Sequence, residues 1–179
     1  MHISSLEEYG LRCALQLARH YGGKPMPASR IAEIEKISVE YVSKFMHLLR
    51  KSGLITAVRG VQGGFVLSKA PQQITLKDVF DALKEKKAPM IEGGTSFCAK
   101  FSGQQNSCVH LDQCSIRPFW KMIDVYFEAI TREITLDALL IDEVHVSKKI
   151  ETLAIEQAAA LRKFSESSVA NREGLCLQQ

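Results

Sequence analysis

Three of the five cysteines in this 179-residue chain fall within 17 residues, as Cys98-x9-Cys108-x5-Cys114. Thiolates bind zinc, hold iron–sulfur clusters and undergo redox exchange, so this spacing marks a place for chemistry. The N-terminal MHISSLEEYG has acidic residues and no apolar run of signal-peptide length, which predicts a cytoplasmic protein with no membrane partner. In a reducing compartment, clustered thiols point to metal or redox chemistry sooner than to disulfides. The x9 and x5 gaps match neither common ferredoxin run. On spacing alone a cluster, a structural zinc and three unrelated thiols all stand. Three thiolates also leave a fourth ligand to be found, and His110, between the last two cysteines, is one candidate.

The residues that must position this segment lie on both sides of it. Charge divides the chain: residues 1–70 carry ten Lys/Arg against five Asp/Glu, a balance of +5, whereas the remainder carries −2. A basic first third suits a polyanion. Ser4 or Ser5 opens a first helix, each with a glutamate three residues on. Leu6, Tyr9, Cys13 and Leu17 make its buried stripe, with Cys13 a plain core thiol. The helix ends near Tyr21, before Gly22-Gly23-Lys24-Pro25. A short helix over 29–34 and a turn at 35–37 precede a helix from 38 to about 51, capped by Ser38 and buried through Val39, Val42, Phe45 or Met46, and Leu49. Glu40, Tyr41, Ser43, Lys44, His47 and Lys51 are left outward. This is a helix-turn-helix pattern.

Two short strands follow, 54–58 and 65–67, around Arg59-Gly60-Val61-Gln62-Gly63-Gly64, a glycine-rich turn with a basic root. Such a wing reaches a neighbouring minor groove. Thr75 caps a further helix bearing Leu76, Val79, Phe80 and Leu83. From Pro118, Phe119, Ile123, Tyr126 or Phe127, Ile130 and Ile134 recur over about five turns, a helix of ~28 Å with little single-chain core to cover it. Packing against its own twin is the economical answer. A short helix is predicted at 135–140. Ile150, Leu153, Ala154, Ala158 and Leu161 allow another, and Ser165–Gln179 reads as a polar tail with Cys176 an incidental thiol.

The order of parts resembles the IscR/NsrR-type iron–sulfur winged-helix transcription regulators. The resemblance rests on Tyr41, Leu48-Leu49-Arg50-Lys51-Ser52-Gly53-Leu54, Val58-Arg59-Gly60, Gly63-Gly64, the three cysteines and Ile134-Thr135-Leu136-Asp137-Ala138-Leu139, and covers residues 1 to about 140. It implies a mainly α fold with a small β-hairpin: a winged helix-turn-helix domain (1–87), a cluster-binding segment (88–117), a dimerisation helix with a short helix after it (118–146) and a tail (147–179). It implies an iron–sulfur cluster, 2Fe–2S or 4Fe–4S, on Cys98, Cys108 and Cys114. Ser38, Glu40, Tyr41, Ser43, Lys44, Arg59, Gly60 and Gln62 would meet DNA. IscR-like members place a histidine ligand where Arg117 stands here. NsrR-like members use an acidic residue of the first helix, contributed by the other subunit, and Glu8 matches it. Ser43 stands where IscR-like members carry a glutamate, and Val61 where the wing usually has proline, so operator preference does not carry over.

The expected function is a homodimeric regulator, not an enzyme and without a small-molecule substrate. Its affinity for a double-stranded, imperfectly palindromic operator would be set by the cluster in response to redox state, nitric oxide or iron supply. The alternatives are a cofactor-free winged-helix repressor switched by thiol oxidation, and an iron–sulfur redox carrier or enzyme, which leaves the wing idle.

Overall fold

The computed structural model describes residues 3–84, 114–156 and 158–159. Residues 1–141 make one compact unit and 142–179 a second. In the first, α1 (Ser5–Arg19), α2 (Ala28–Glu35) and α3 (Val39–Lys51) lead into an antiparallel hairpin of β1 (Ile55–Val58) and β2 (Gly64–Leu67). Then come α4 (Leu76–Leu83) and α5 (Arg117–Glu133), with 3-10 turns at Pro71–Gln73 and Ala138–Leu140. The mainly α fold with one small hairpin is the one expected.

Local chemistry sets the boundaries. Ser4 caps α1 in a reciprocal box with Glu7, and Thr75 does the same for α4 with Asp78. After α2 the chain reverses at Lys36, whose left-handed φ of 53° lets Ile37 N–H reach Ala32 O at 3.1 Å. The turn is therefore tighter than predicted, and Glu35 belongs to α2. Ser38 Oγ accepts from Tyr41 N–H at 3.2 Å and starts α3.

The core sits between α1, α3 and α4. Val42, Phe45, Met46 and Leu49 of α3 are wholly buried with Cys13, Ile31, Val79 and Leu83. Both Phe45 and Met46 point inward, so the choice between them dissolves. Val39, expected inside, is the first residue of α3 and is 42% exposed. Gly10 lets α4 lie against α1, since a Cβ there would come within 2.6 Å of the Leu83 methyls.

The hairpin pairs Ile55 with Leu67 through Val58 with Gly64. Met26, between α1 and α2, adds an unforeseen bridge on the other edge of β2: Phe65 N–H donates to Met26 O at 2.8 Å and Met26 N–H to Phe65 O at 3.0 Å. Gly64 permits this approach, because a Cβ there would strike the Met26 carbonyl at about 2.5 Å. The wing root is thereby fixed to the start of α2.

After α5 the expected short helix at 135–140 is only partly formed. Leu76 N–H donates to Ile134 O at 2.8 Å and Leu136 N–H to Ile74 O at 2.9 Å. These bonds hold 134–136 extended beside the start of α4, bury Leu136 completely, and leave helical turning to Ala138–Leu140. Helix α5 packs on α4 through the Phe80 and Phe127 rings, 5.6 Å apart, and through Lys77, which pairs with Asp81 at 2.6 Å and Glu128 at 3.6 Å. In the second unit a helix over 143–156 is capped by Asp142, whose Oδ1 accepts from His145 N–H at 2.8 Å. It starts earlier than the apolar spacing suggested. The expectations for Leu161, for Ser165–Gln179 and for Cys176 lie outside the described residues. Among the described residues, no helix is long and apolar enough to cross a membrane.

Candidate nucleic-acid interface

Because α3 buries one side so completely, its other side is a row of polar groups. Ser38, Glu40, Ser43, Lys44, His47 and Lys51 are all exposed. The two serines both have their hydroxyl protons engaged. Ser38 Oγ accepts the Tyr41 N–H, and its hydroxyl proton is turned to the Glu40 carboxylate, so Ser38 caps α3 and orients Glu40 and keeps only acceptor capacity outward. Ser43 Oγ already donates to Val39 O at 2.8 Å, so it offers only acceptor capacity, suited to a base amine. Glu40 is fully charged at neutral pH. Its own backbone N–H, and then Ser38, hold its carboxyl below the usual range. A carboxylate there can accept from a cytosine amine and repels phosphate, so its chemistry suits a base edge rather than the backbone.

Tyr41 is half-buried. Its ring packs 4.4 Å from Phe45 and 5.8 Å from Tyr9, turned towards α1 and away from the polar row. Arg59, Gly60 and Gln62 form the exposed wing tip with Val61. Gly60 has φ +120°, which a side chain would strain, and Gly63 N–H closes the turn on Gly60 O at 2.9 Å. Arg59 follows the last rung of β1 and forms no ion pair with a described residue, which leaves its guanidinium available.

The frame behind this surface includes a group that sequence reasoning missed. Glu35, at the end of α2, is buried and receives Arg12 Nε at 2.7 Å and Gln16 Nε2 at 2.5 Å. Arg12 and Gln16 lie one turn apart on α1, and that i, i+4 pair of donors is the signal that was available. The Arg12 guanidinium also lies 5.4 Å from the Tyr9 ring centre.

Of the thiols, Cys13 is fully buried, and burial, then the Glu35 charge, push its pKa up to about 12. It stays a thiol at neutral pH and is unsuited to metal ligation. Cys114 is a free, half-exposed cysteine just ahead of α5. Cys98, Cys108 and His110 lie outside the described residues. Among the described residues, no three His, Cys, Asp or Glu side chains gather as a metal site would need. Glu8 is exposed on the first turn of α1. Ser4 and Glu7 form the capping box, so Ser5 and Glu8 do not, and the Glu8 carboxylate makes no hydrogen bond to a described residue.

Known proteins share this arrangement. The family model of Rrf2, described as an iron-dependent transcriptional regulator, matches residues 3–142. Protein rrf2 of Nitratidesulfovibrio vulgaris is 31% identical over 120 residues, 67% of this chain and 74% of that protein. Among solved structures, T. potens IscR superposes with a TM-score of 0.61 at 26% identity, covering 78% of this chain and 86% of that one. The global cysteine regulator CymR of B. subtilis gives 0.57 at 26%, covering 78% and 95%. The chain belongs to the Rrf2 family of transcriptional regulators.

Proposed function

We propose that this chain is a homodimeric DNA-binding regulator whose operator affinity is set by an iron–sulfur cluster on Cys98, Cys108 and Cys114. The observation that carries the DNA half is the exposed polar outer row of α3 together with the exposed Arg59–Gln62 wing tip in one compact unit. Lys44 and Arg59 serve the backbone and minor groove, while Glu40, oriented by Ser38, and Ser43 offer a carboxylate and an acceptor to the operator. Two such modules in a symmetric dimer call for an imperfect palindrome. The exposed apolar flank of α5 is the natural dimer surface. DNA affinity should fall steeply with salt, as phosphate contacts release counterions. A salt-indifferent gel shift would remove the interface.

The donor set fits a cluster. Three cysteines supply thiolates, Cys114 is free and half-exposed, and Cys13 is ruled out as the fourth ligand by its burial. Glu8 is the better fourth candidate, as an exposed carboxylate with no bond to a described residue, offered to the partner subunit. When bound, such a cluster supplies a centre whose integrity depends on oxidant, nitric oxide or iron supply. The thiolate segment connects α4 to α5, and Glu8 precedes Tyr9, which packs on α3. Ligation at both points therefore bears on how the two recognition helices are spaced. A difference of ~3 kcal/mol between the two DNA affinities changes them over a hundredfold.

Anaerobic native mass spectrometry of the dimer, counting iron and sulfide, tests the cofactor. Glu8→Ala should shift the visible spectrum or shorten the cluster's lifetime, and no change in either removes Glu8. A second reading, thiol switching without a cofactor, is favoured by the likeness to CymR, the global cysteine regulator of B. subtilis. A protein without sulfide whose DNA affinity still changes with thiol oxidation would establish that reading instead.

A further inference from the structure

We infer that Tyr41 is a positioning residue that fixes the recognition helix against α1, and not a DNA contact. The inference rests on reading α3 as the recognition helix. Tyr41 belongs to the first turn of α3, the turn that carries Ser38 and Glu40, yet its side chain turns the other way. Its ring meets the Tyr9 ring at 65°, edge to face with centroids 5.8 Å apart, and its hydroxyl lies 3.5 Å from Ser5 Oγ. Tyr9 in turn lies beneath Arg12, which pairs with Glu35 of α2. One connected set of contacts thus runs from the end of α2, through the exposed end of α1, to the start of α3.

The lower part of α3 is held by Phe45, Met46 and Leu49 in the core. In its first turn only Val42 reaches that core, since Val39 is exposed and Ser38 and Glu40 face solvent. Tyr41, beside the buried Val42, adds an aromatic tie from this turn to the exposed end of α1. The consequence is geometric. Side-chain tips stand about 5–6 Å from a helix axis, so a 20° rotation of the turn displaces them by about 2 Å. Hydrogen bonds to base edges tolerate only a few tenths of an ångström, whereas attraction to phosphates is far less sensitive. Loss of the Tyr9–Tyr41 contact should therefore abolish discrimination while sparing non-specific binding. A lost phosphate contact would do the opposite, lowering all affinities and the salt slope by about one.

The test uses full-length dimer and a duplex selected from random-sequence DNA by the wild-type protein, with a scrambled duplex beside it. Dissociation constants are measured across a potassium chloride series. Tyr41→Ala should weaken the selected duplex tenfold or more, leave the scrambled duplex within about twofold, and leave the salt slope unchanged. Tyr41→Phe, which keeps the ring, should stay within about threefold of wild type. Tyr9→Leu lies on α1 and keeps bulk. It should reproduce the Tyr41→Ala pattern, and the double variant should be no worse than either single one. Thermal melting confirms that each variant is folded at the assay temperature. A wild-type Tyr9→Leu, additive losses, or a Tyr41→Ala that lowers the salt slope would overturn the proposal. Lys44→Ala and Arg59→Ala serve as controls. If neither weakens binding, the interface reading has failed and takes this inference with it. If both do while Tyr9→Leu does not, only the positioning role has failed.

Discussion

Helices α3 and α5 are both amphipathic, but they meet very different surroundings. The 13-residue α3 buries four large side chains completely, since α1, α2 and α4 close around it. Among the described elements the 17-residue α5 has α4 as its main neighbour, and Thr131 is its one buried residue. Phe119, Met122 and Val125 of α5 stay 49%, 42% and 48% exposed. Water is an expensive neighbour for such a flank, at about 25 cal/mol per Å² of apolar surface. The contrast separates a module that completes its own core from an element whose core remains to be completed, and a second copy of α5 can complete it.

The largest effect is expected in the self-sufficient half. Phe45→Ala empties a fully buried site at the centre of α3 and should destabilise the protein by about 3–5 kcal/mol in urea unfolding. A cost below about 1 kcal/mol would mean that the core is not closed by α1, α3 and α4 as described. Next comes the incomplete half. Phe119→Asp places a charge on the exposed flank of α5 and should weaken dimerisation at least a hundredfold, about 2.7 kcal/mol, in sedimentation equilibrium. Circular dichroism should show the fold kept, because Phe119 contributes little to the monomer. An unchanged dimer would place the interface elsewhere and leave the contrast between the helices unexplained.

What could be read from the sequence follows the range of the interactions. The caps at Ser38 and Thr75, the polar row of α3 and the hairpin were legible because each is decided within a few residues. Glu7, not Glu8, closes the first capping box, a choice between two equal local patterns that only the backbone register at Ser4 resolves. The Met26–Phe65 bridge and the Ile74–Leu136 bond join segments about 40 and 60 residues apart, and no local period announces them. Tyr41 illustrates a finer limit. Position on the helix placed it beside the polar row of α3, but the aromatic neighbours Tyr9 and Phe45 take its side chain. The thiol site is legible only as spacing, with Cys114 alone of its three cysteines among the described residues.

The smallest effect separates the core thiol from that site. Cys13 lies in the same core as Phe45, and Cys13→Ala removes one buried sulfur. It should cost about 1 kcal/mol in urea unfolding. Iron and sulfide content and DNA affinity should be unchanged, since a thiol with a pKa of about 12 supplies no thiolate at neutral pH. The same shift fixes a pH trend. Above about 9 the unfolded chain releases the Cys13 proton while the folded chain keeps it, so the unfolded state gains relative to the folded one as pH rises towards 12. Between pH 9 and 11, Cys13→Ala should lose stability less steeply than the parent protein, the slopes being compared by urea titration under a reductant. A parallel pair of slopes, or a loss of iron in the variant, would move Cys13 out of the self-contained core and into the chemistry of the thiol segment.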